Sequence, residues 1–193
     1  MTFERVLLLF GSALAIWCGL TVAEASYFRG LPAPDAHRAV LPGDGEGLTI
    51  RPSRYPPIRP GDWIARLDAP TVHLAATILE GSDEATLALG AGHIEGTALP
   101  GEIGNIGIAG HRDTTFRAVR NLALGDPLIV TAQDRVLEFQ ITSTTIVDPE
   151  DVYVLDATSS TTLTLVTCYP FSFIGHAPKR FIVKARLAAE RPR

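Results

Sequence analysis

The chain has 193 residues, 46% of them hydrophobic, with 17 basic and 21 acidic side chains and a formal net charge of −4. That length holds one full domain with a real core plus an appendage, and the apolar content excludes global disorder. The basic residues form no stripe of the kind that binds nucleic acid, and the two cysteines cannot make a disulfide framework.

The N-terminal stretch "MTFERVLLLFGSALAIWCGLTVAEASYF" carries an uncharged, mostly apolar run over residues 6–23. At 1.5 Å per residue the run reaches roughly 27 Å, enough for a thin bilayer core. Residues 1–25 are therefore expected to be a signal anchor, a single transmembrane segment. Ala23-Glu24-Ala25 also fits the small-x-small cleavage pattern, and removal after Ala25 is the alternative. Both readings imply export.

Half of the 14 prolines fall within residues 26–60, at 32, 34, 42, 52, 56, 57 and 60, with glycines at 43, 45 and 47. Such a stretch cannot hold a helix and offers little to a sheet, so it reads as an extended spacer. A single domain is expected over residues 61–190. The runs "WIARL", "TVHLAATI", "NIGIAG", "PLIVTA", "RVLEFQITSTTIV", "TTLTLVTC" and "RFIVKARL" are rich in β-branched residues and punctuated by Gly, Pro, Asp or Asn. This is the pattern of an all-β fold. Within residues 135–141, Val136, Glu138 and Gln140 alternate with Leu137, Phe139 and Ile141, as a half-buried strand requires. "SDEATLALG" reads as a short helix capped by Ser82 and stopped by Gly90, and "DTTFRAVRNL" as a second with an Asp/Thr cap. His73 is placed inside a strand and His93 in a loop. The expected fold is a closed or nearly closed β-barrel with short helices in its loops.

Cys168 ends the run "TTLTLVTC" just before Tyr169-Pro170, where its side chain can emerge at a rim. A lone cysteine is commonly a packed, inert core thiol. In an exported protein, however, an unpaired thiol is exposed to oxidation, so its retention argues for use. The other cysteine, Cys18, lies in the apolar N-terminal run. A working thiol needs a base or cation to hold it as thiolate and a donor for the oxyanion. His111, closing "GNIGIAG", is one candidate base, and His93, His73, His37 and His176 are weaker ones. Arg180 opens "RFIVKARL" twelve residues after Cys168. If that strand pairs antiparallel with "TTLTLVTC", Arg180 comes near the thiol, and its guanidinium can hold both an oxyanion and a substrate backbone. Arg112 and Lys179 compete for the same role. No Cys/His set has zinc spacing, and no dinucleotide or Walker motif is present. Neither a metal nor a cofactor is expected.

Together these segments resemble the sortases, the cysteine transpeptidases that attach surface proteins in bacteria. "TLVTC" is similar to the family's TLxTC signature, which includes Thr167. "GNIGIAGHRDTTFR" resembles its histidine segment, "APKRFIVKARL" its arginine strand, and "GHIEGTALPGEIGN" the loop before the histidine strand. The resemblance runs from about residue 61 to 188, in the family's order, and its short, N-terminally anchored form with "HRDTTFRAVRNL" and "TCYPF" is most like the Gram-negative group.

The resemblance implies a closed barrel of about eight strands with the active site on one face. It implies Cys168 as nucleophile, His111 as general acid/base and Arg180 as oxyanion and substrate clamp, with His93 and Asn105 at recurring family positions. The implied substrate is an exported protein bearing a C-terminal LPxTG-like sorting signal, cleaved through a thioacyl enzyme and passed to an amine acceptor of the cell envelope. The implied location is the inner membrane, with the catalytic domain on the periplasmic side. A thiolate working beside an imidazolium predicts a bell-shaped pH profile.

A hydrolase using the same three residues, with water in place of the amine, is the nearest alternative. An L,D-transpeptidase would need a Ser/His-Gly-Cys cluster that "LVTCYPF" lacks. A thiol-redox role would need a CxxC pair. A non-catalytic β-domain on a proline-rich stalk would be indifferent to loss of Cys168.

Overall fold

The structure is a computed structural model that describes residues 58–172, 175 and 177–193. The apolar run at 6–23, most of the spacer, His37 and His176 lie outside the described residues. Among those described, no helix is long and apolar enough to cross a membrane.

Eight strands close into a barrel: β1 (Trp63–Ala69), β2 (Leu74–Glu80), β3 (Ala91–His93), β4 (Asn105–Ala109), β5 (Pro127–Thr131), β6 (Arg135–Val147), β7 (Thr162–Tyr169) and β8 (Lys179–Pro192). Their order around the barrel is β1-β2-β3-β4-β7-β8-β6-β5. The expected all-β closed barrel is borne out. The strand absent from the sequence reading is β3, whose three residues are too few to show alternation. It pairs parallel to β2 and antiparallel to β4, and it ends on His93, which is therefore not a loop residue.

Alternation divides the side chains of the site strands between two faces. Leu163 and Leu165 of β7 enter the main core with Val183 and Ala185 of β8. Val166 and Ile182, from the intervening positions, pack instead with Val154 and Leu155, which belong to the 3-10 turn Val152–Leu155. That turn covers the outer face of the β7–β8 pair. On β6, Leu137, Phe139 and Ile141 are all buried, as the pattern in residues 135–141 predicts.

Three local expectations are corrected. The one α-helix among the described residues, α1 (Glu84–Leu89), is capped by Asp83 rather than Ser82. The Asp83 carboxylate accepts from the Ala85 and Thr86 amides at 2.9 and 3.1 Å. Ser82 is occupied elsewhere, donating its hydroxyl to Glu95 at 2.8 Å. The hydrogen bonds from Thr86 hold the Asp83 carboxyl below the usual carboxylate range. Gly90 ends α1 as expected. The reason is close approach, since a Cβ there would lie 2.7 Å from the Thr77 carbonyl oxygen. Second, "DTTFRAVRNL" forms a 3-10 turn, Arg117–Asn121, without a side-chain cap. The Phe116 amide donates to the His111 carbonyl, and this contact takes the place of an Asp/Thr cap. His73 is also moved: it closes the 3-10 turn Pro70–Val72 in the left-handed region, with φ 52°, just before β2 begins.

Asn105 shows how the outer face is tied together. Its amide donates to the Val154 and Asp156 carbonyls at 3.0 and 3.3 Å. Its carbonyl accepts from Thr164 and Thr162 at 2.7 and 3.3 Å. Asn105→Ala would leave the buried Thr164 hydroxyl and Val154 carbonyl without this partner. It should cost about 2–3 kcal/mol, measured as a lower midpoint of chemical unfolding; an unchanged midpoint would show that water takes over.

Candidate active site

The two ends of the site are brought together by two different kinds of pairing. β7 and β8 are antiparallel, and their register sets Cys168 directly opposite Arg180, the juxtaposition expected from the hairpin. Cys168 lies two residues beyond Val166, and Arg180 two before Ile182. Both therefore share the outer face that Val154 covers. β4 and β7 are parallel, with Ala109 opposite Val166, so their C-terminal ends reach the same rim. The Gly110 amide donates to the Val166 carbonyl at 3.1 Å, and the Thr167 hydroxyl donates to the Gly110 carbonyl at 2.7 Å. The next residue on each strand is His111 and Cys168. Among the described residues, a cleft of about 350 Å³ is lined by Cys168, His111 and Arg180, together with Glu84, Arg112 and Asp113.

Residues 67–188 match the family model described as the sortase domain. The chain belongs to the sortase family.

Among curated proteins, this sortase is 38% identical over 118 residues to Sortase D of Bacillus subtilis, covering 61% of this chain and 60% of that protein. It is 35% identical over 153 residues to Sortase SrtE1 of Streptomyces coelicolor, covering 69% of this chain and 43% of that protein. The chain thus spans less than two thirds of the length of these relatives. Solved sortase structures share its fold. The Clostridium perfringens Sortase D5 transpeptidase superposes with a TM-score of 0.63 at 35% identity, covering 69% of this chain and 83% of that one. Sortase E1 from Streptomyces coelicolor, with a tripeptide in the active site, gives 0.62 at 31% identity, covering 70% and 94%.

In this sortase the remaining site candidates fall into supporting positions. Thr167 is buried and fastens β7 to the turn that carries His111. Asn105 lies at the opposite end of β4, roughly 16 Å along the strand from Gly110. His93 is buried and does not line the cleft. Its Nδ1 lies 2.8 Å from Glu80 Oε2, and its Nε2 3.1 Å from both the Ala98 carbonyl and the Thr97 hydroxyl. It thereby anchors the connection between β3 and β4.

The competing cations have other attachments. Lys179 is paired with Asp148 at 2.6 Å. Arg112 donates to the Pro170 carbonyl at 3.0 Å and the Gly175 carbonyl at 2.9 Å, so it clamps the β7–β8 connection against the histidine segment. Arg180 donates to the Lys179 and Ala177 carbonyls at 3.0 and 3.3 Å, which holds its guanidinium, and it lines the cleft with Cys168. Glu84, which no sequence motif singles out, approaches His111 Nε2 to 3.5 Å. It is the first residue of α1, and no pattern in the chain connects that helix to the histidine segment.

Gly110 supplies the room for this arrangement. A Cβ there would lie 2.6 Å from Cγ of Phe116, whose ring is fully buried. Gly110→Ala should destabilise the fold by about 1–3 kcal/mol and displace His111. A fall in Tm is expected, and a second change, Phe116→Leu, should recover part of it. An unchanged Tm would show that the ring moves freely.

Proposed function

We propose that this sortase is a cysteine transpeptidase that cleaves an LPxTG-like sorting signal and transfers the acyl group to an amine. The observation that carries the reading is the meeting of Cys168, Arg180 and His111 at one cleft, two of them on adjacent strands and the third just beyond β4 of a sortase barrel. In this reading the Cys168 thiolate attacks the carbonyl carbon of the Thr–Gly bond. The resulting oxyanion is held by Arg180, already oriented by two backbone carbonyls. Protonated His111 donates its proton to the leaving nitrogen as the C–N bond breaks, which leaves a thioacyl enzyme. An incoming amine then gives its proton to His111, attacks the thioester carbon and expels the thiolate as the new amide forms. The residues match the demands of nucleophilic catalysis: an activated thiol, a proton carrier and a charged donor at the oxyanion.

The run at 6–23 is assigned to an inner-membrane anchor that presents the domain on the periplasmic side, with the proline-rich spacer between them. The substrate is then an exported protein with a C-terminal signal, and the acceptor an amine of the envelope. The assignment to the Gram-negative group rests on "HRDTTFRAVRNL" and "TCYPF".

Full-length protein incubated with an LPxTG peptide and followed by intact mass spectrometry tests the chemistry. A thioacyl adduct that an added amine converts to a new amide is expected. An adduct discharged by water alone would identify a hydrolase, and no adduct with any sorting-type peptide would overturn the reading.

A further inference from the structure

A second groove, of about 430 Å³, lies outside the Cys168 cleft. Its polar lining comes from His73, Thr114, Thr115, Arg117, Arg120 and Asn121, and no acidic side chain lines it. The spacing of the arginines matters. They lie three residues apart in the 3-10 turn Arg117–Asn121, and in a 3-10 turn side chains at i and i+3 eclipse one another. With a rise of about 2 Å per residue their Cα atoms lie on one side of the turn, roughly 6 Å apart along the axis. His73 faces them from the turn before β2, in a left-handed conformation that is uncommon for a residue other than glycine.

Neither Arg117 nor Arg120 has a side-chain partner among the described residues. This contrasts with most of the strand arginines. Arg66 pairs with Asp68, Arg135 with Asp134 and Glu190, Arg191 with Glu138, and Arg186 bonds Gln140. In a chain with more acids than bases, two adjacent unpaired guanidiniums in a concave site are the exception. Paired guanidiniums with nearby hydroxyls suit a tetrahedral, multiply charged oxyanion, because each fork can donate two parallel hydrogen bonds.

We propose that this groove binds a phosphate group, held between Arg117 and Arg120 with His73 and the Thr114 hydroxyl completing the donor set. The site is independent of acyl transfer at Cys168.

Full-length protein in neutral detergent, titrated calorimetrically with inorganic pyrophosphate at low ionic strength, tests it. Arg117→Gln/Arg120→Gln should weaken binding by at least about tenfold, and His73→Gln by less. Arg59→Gln, which removes an exposed and equally unpartnered arginine outside the groove, should leave it unchanged. Both groove arginines are exposed, so the double variant is expected to unfold at the wild-type temperature. The absence of pyrophosphate binding by wild type, equal binding by the double variant, or an equal loss with Arg59→Gln would each overturn the proposal. Vesicle co-sedimentation distinguishes the phosphate's source. Weaker recruitment of the double variant to phosphatidylglycerol but not to phosphatidylcholine would assign a lipid headgroup. Unchanged recruitment beside weakened pyrophosphate binding would assign a soluble phosphate.

Discussion

Cys168→Ala should eliminate the thioacyl adduct and lower peptide cleavage by at least about 10³-fold, because the thioester of the proposed intermediate is formed on that sulfur. Cys168 is the one free cysteine among the described residues. The fold should survive the change. The β7–β8 register that sets Cys168 opposite Arg180 is made by backbone hydrogen bonds, and the thiol is only partly buried at the rim. A circular dichroism spectrum and Tm close to wild type, with no mass shift on peptide addition, are the expected pair of results. A persistent adduct in Cys168→Ala would place the nucleophile elsewhere and remove the central assignment.

Arg180→Ala should lower kcat/KM for the peptide by about 10²–10³-fold, the range found when one oxyanion donor is removed. Its neighbours cannot substitute for it, since Lys179 is tied to Asp148 and Arg112 to the carbonyls of the β7–β8 connection. Arg180→Lys should recover only a small part of the loss. An ammonium keeps the charge but not the planar fork that binds an oxyanion and a backbone carbonyl together. Steady-state kinetics on the three proteins, with the thioacyl adduct measured alongside, separate a slowed first step from a failure to bind. Activity within about twofold of wild type in Arg180→Ala would show that backbone donors at the cleft stabilise the oxyanion instead.

The Cys168–Arg180 pair was readable in the chain because it is a local relation. Two β-rich runs separated by a short connection pair antiparallel, and the strand ends nearest the connection then lie opposite each other. The barrel was readable for a similar reason, since alternation in runs such as residues 135–141 reports one buried face. The three residues of β3 lay below the length at which alternation can be seen. Ser82 and Asp83 are both capping residue types, and which of them caps α1 depends on Glu95, which takes the Ser82 hydroxyl from thirteen residues away. The contact of Glu84 with His111 and the clamp made by Arg112 had no local signature.

By itself, the amino-acid sequence determined the all-β character, the chemistry available at Cys168, His111 and Arg180, and the pairing of the first with the third. These depend on residue type, on period-two patterning and on one short connection. Tertiary structure alone decided that His111 joins them. β4 and β7 pair in parallel, so no hairpin links them, and Thr167 reaches Gly110 across a separation of 57 residues. It also decided that His93 and Asn105 support the barrel at a distance from the cleft, and that Arg117 and Arg120 face His73. Contacts of this kind are selected by closure of the whole barrel, which brings remote strands side by side once every backbone edge is paired.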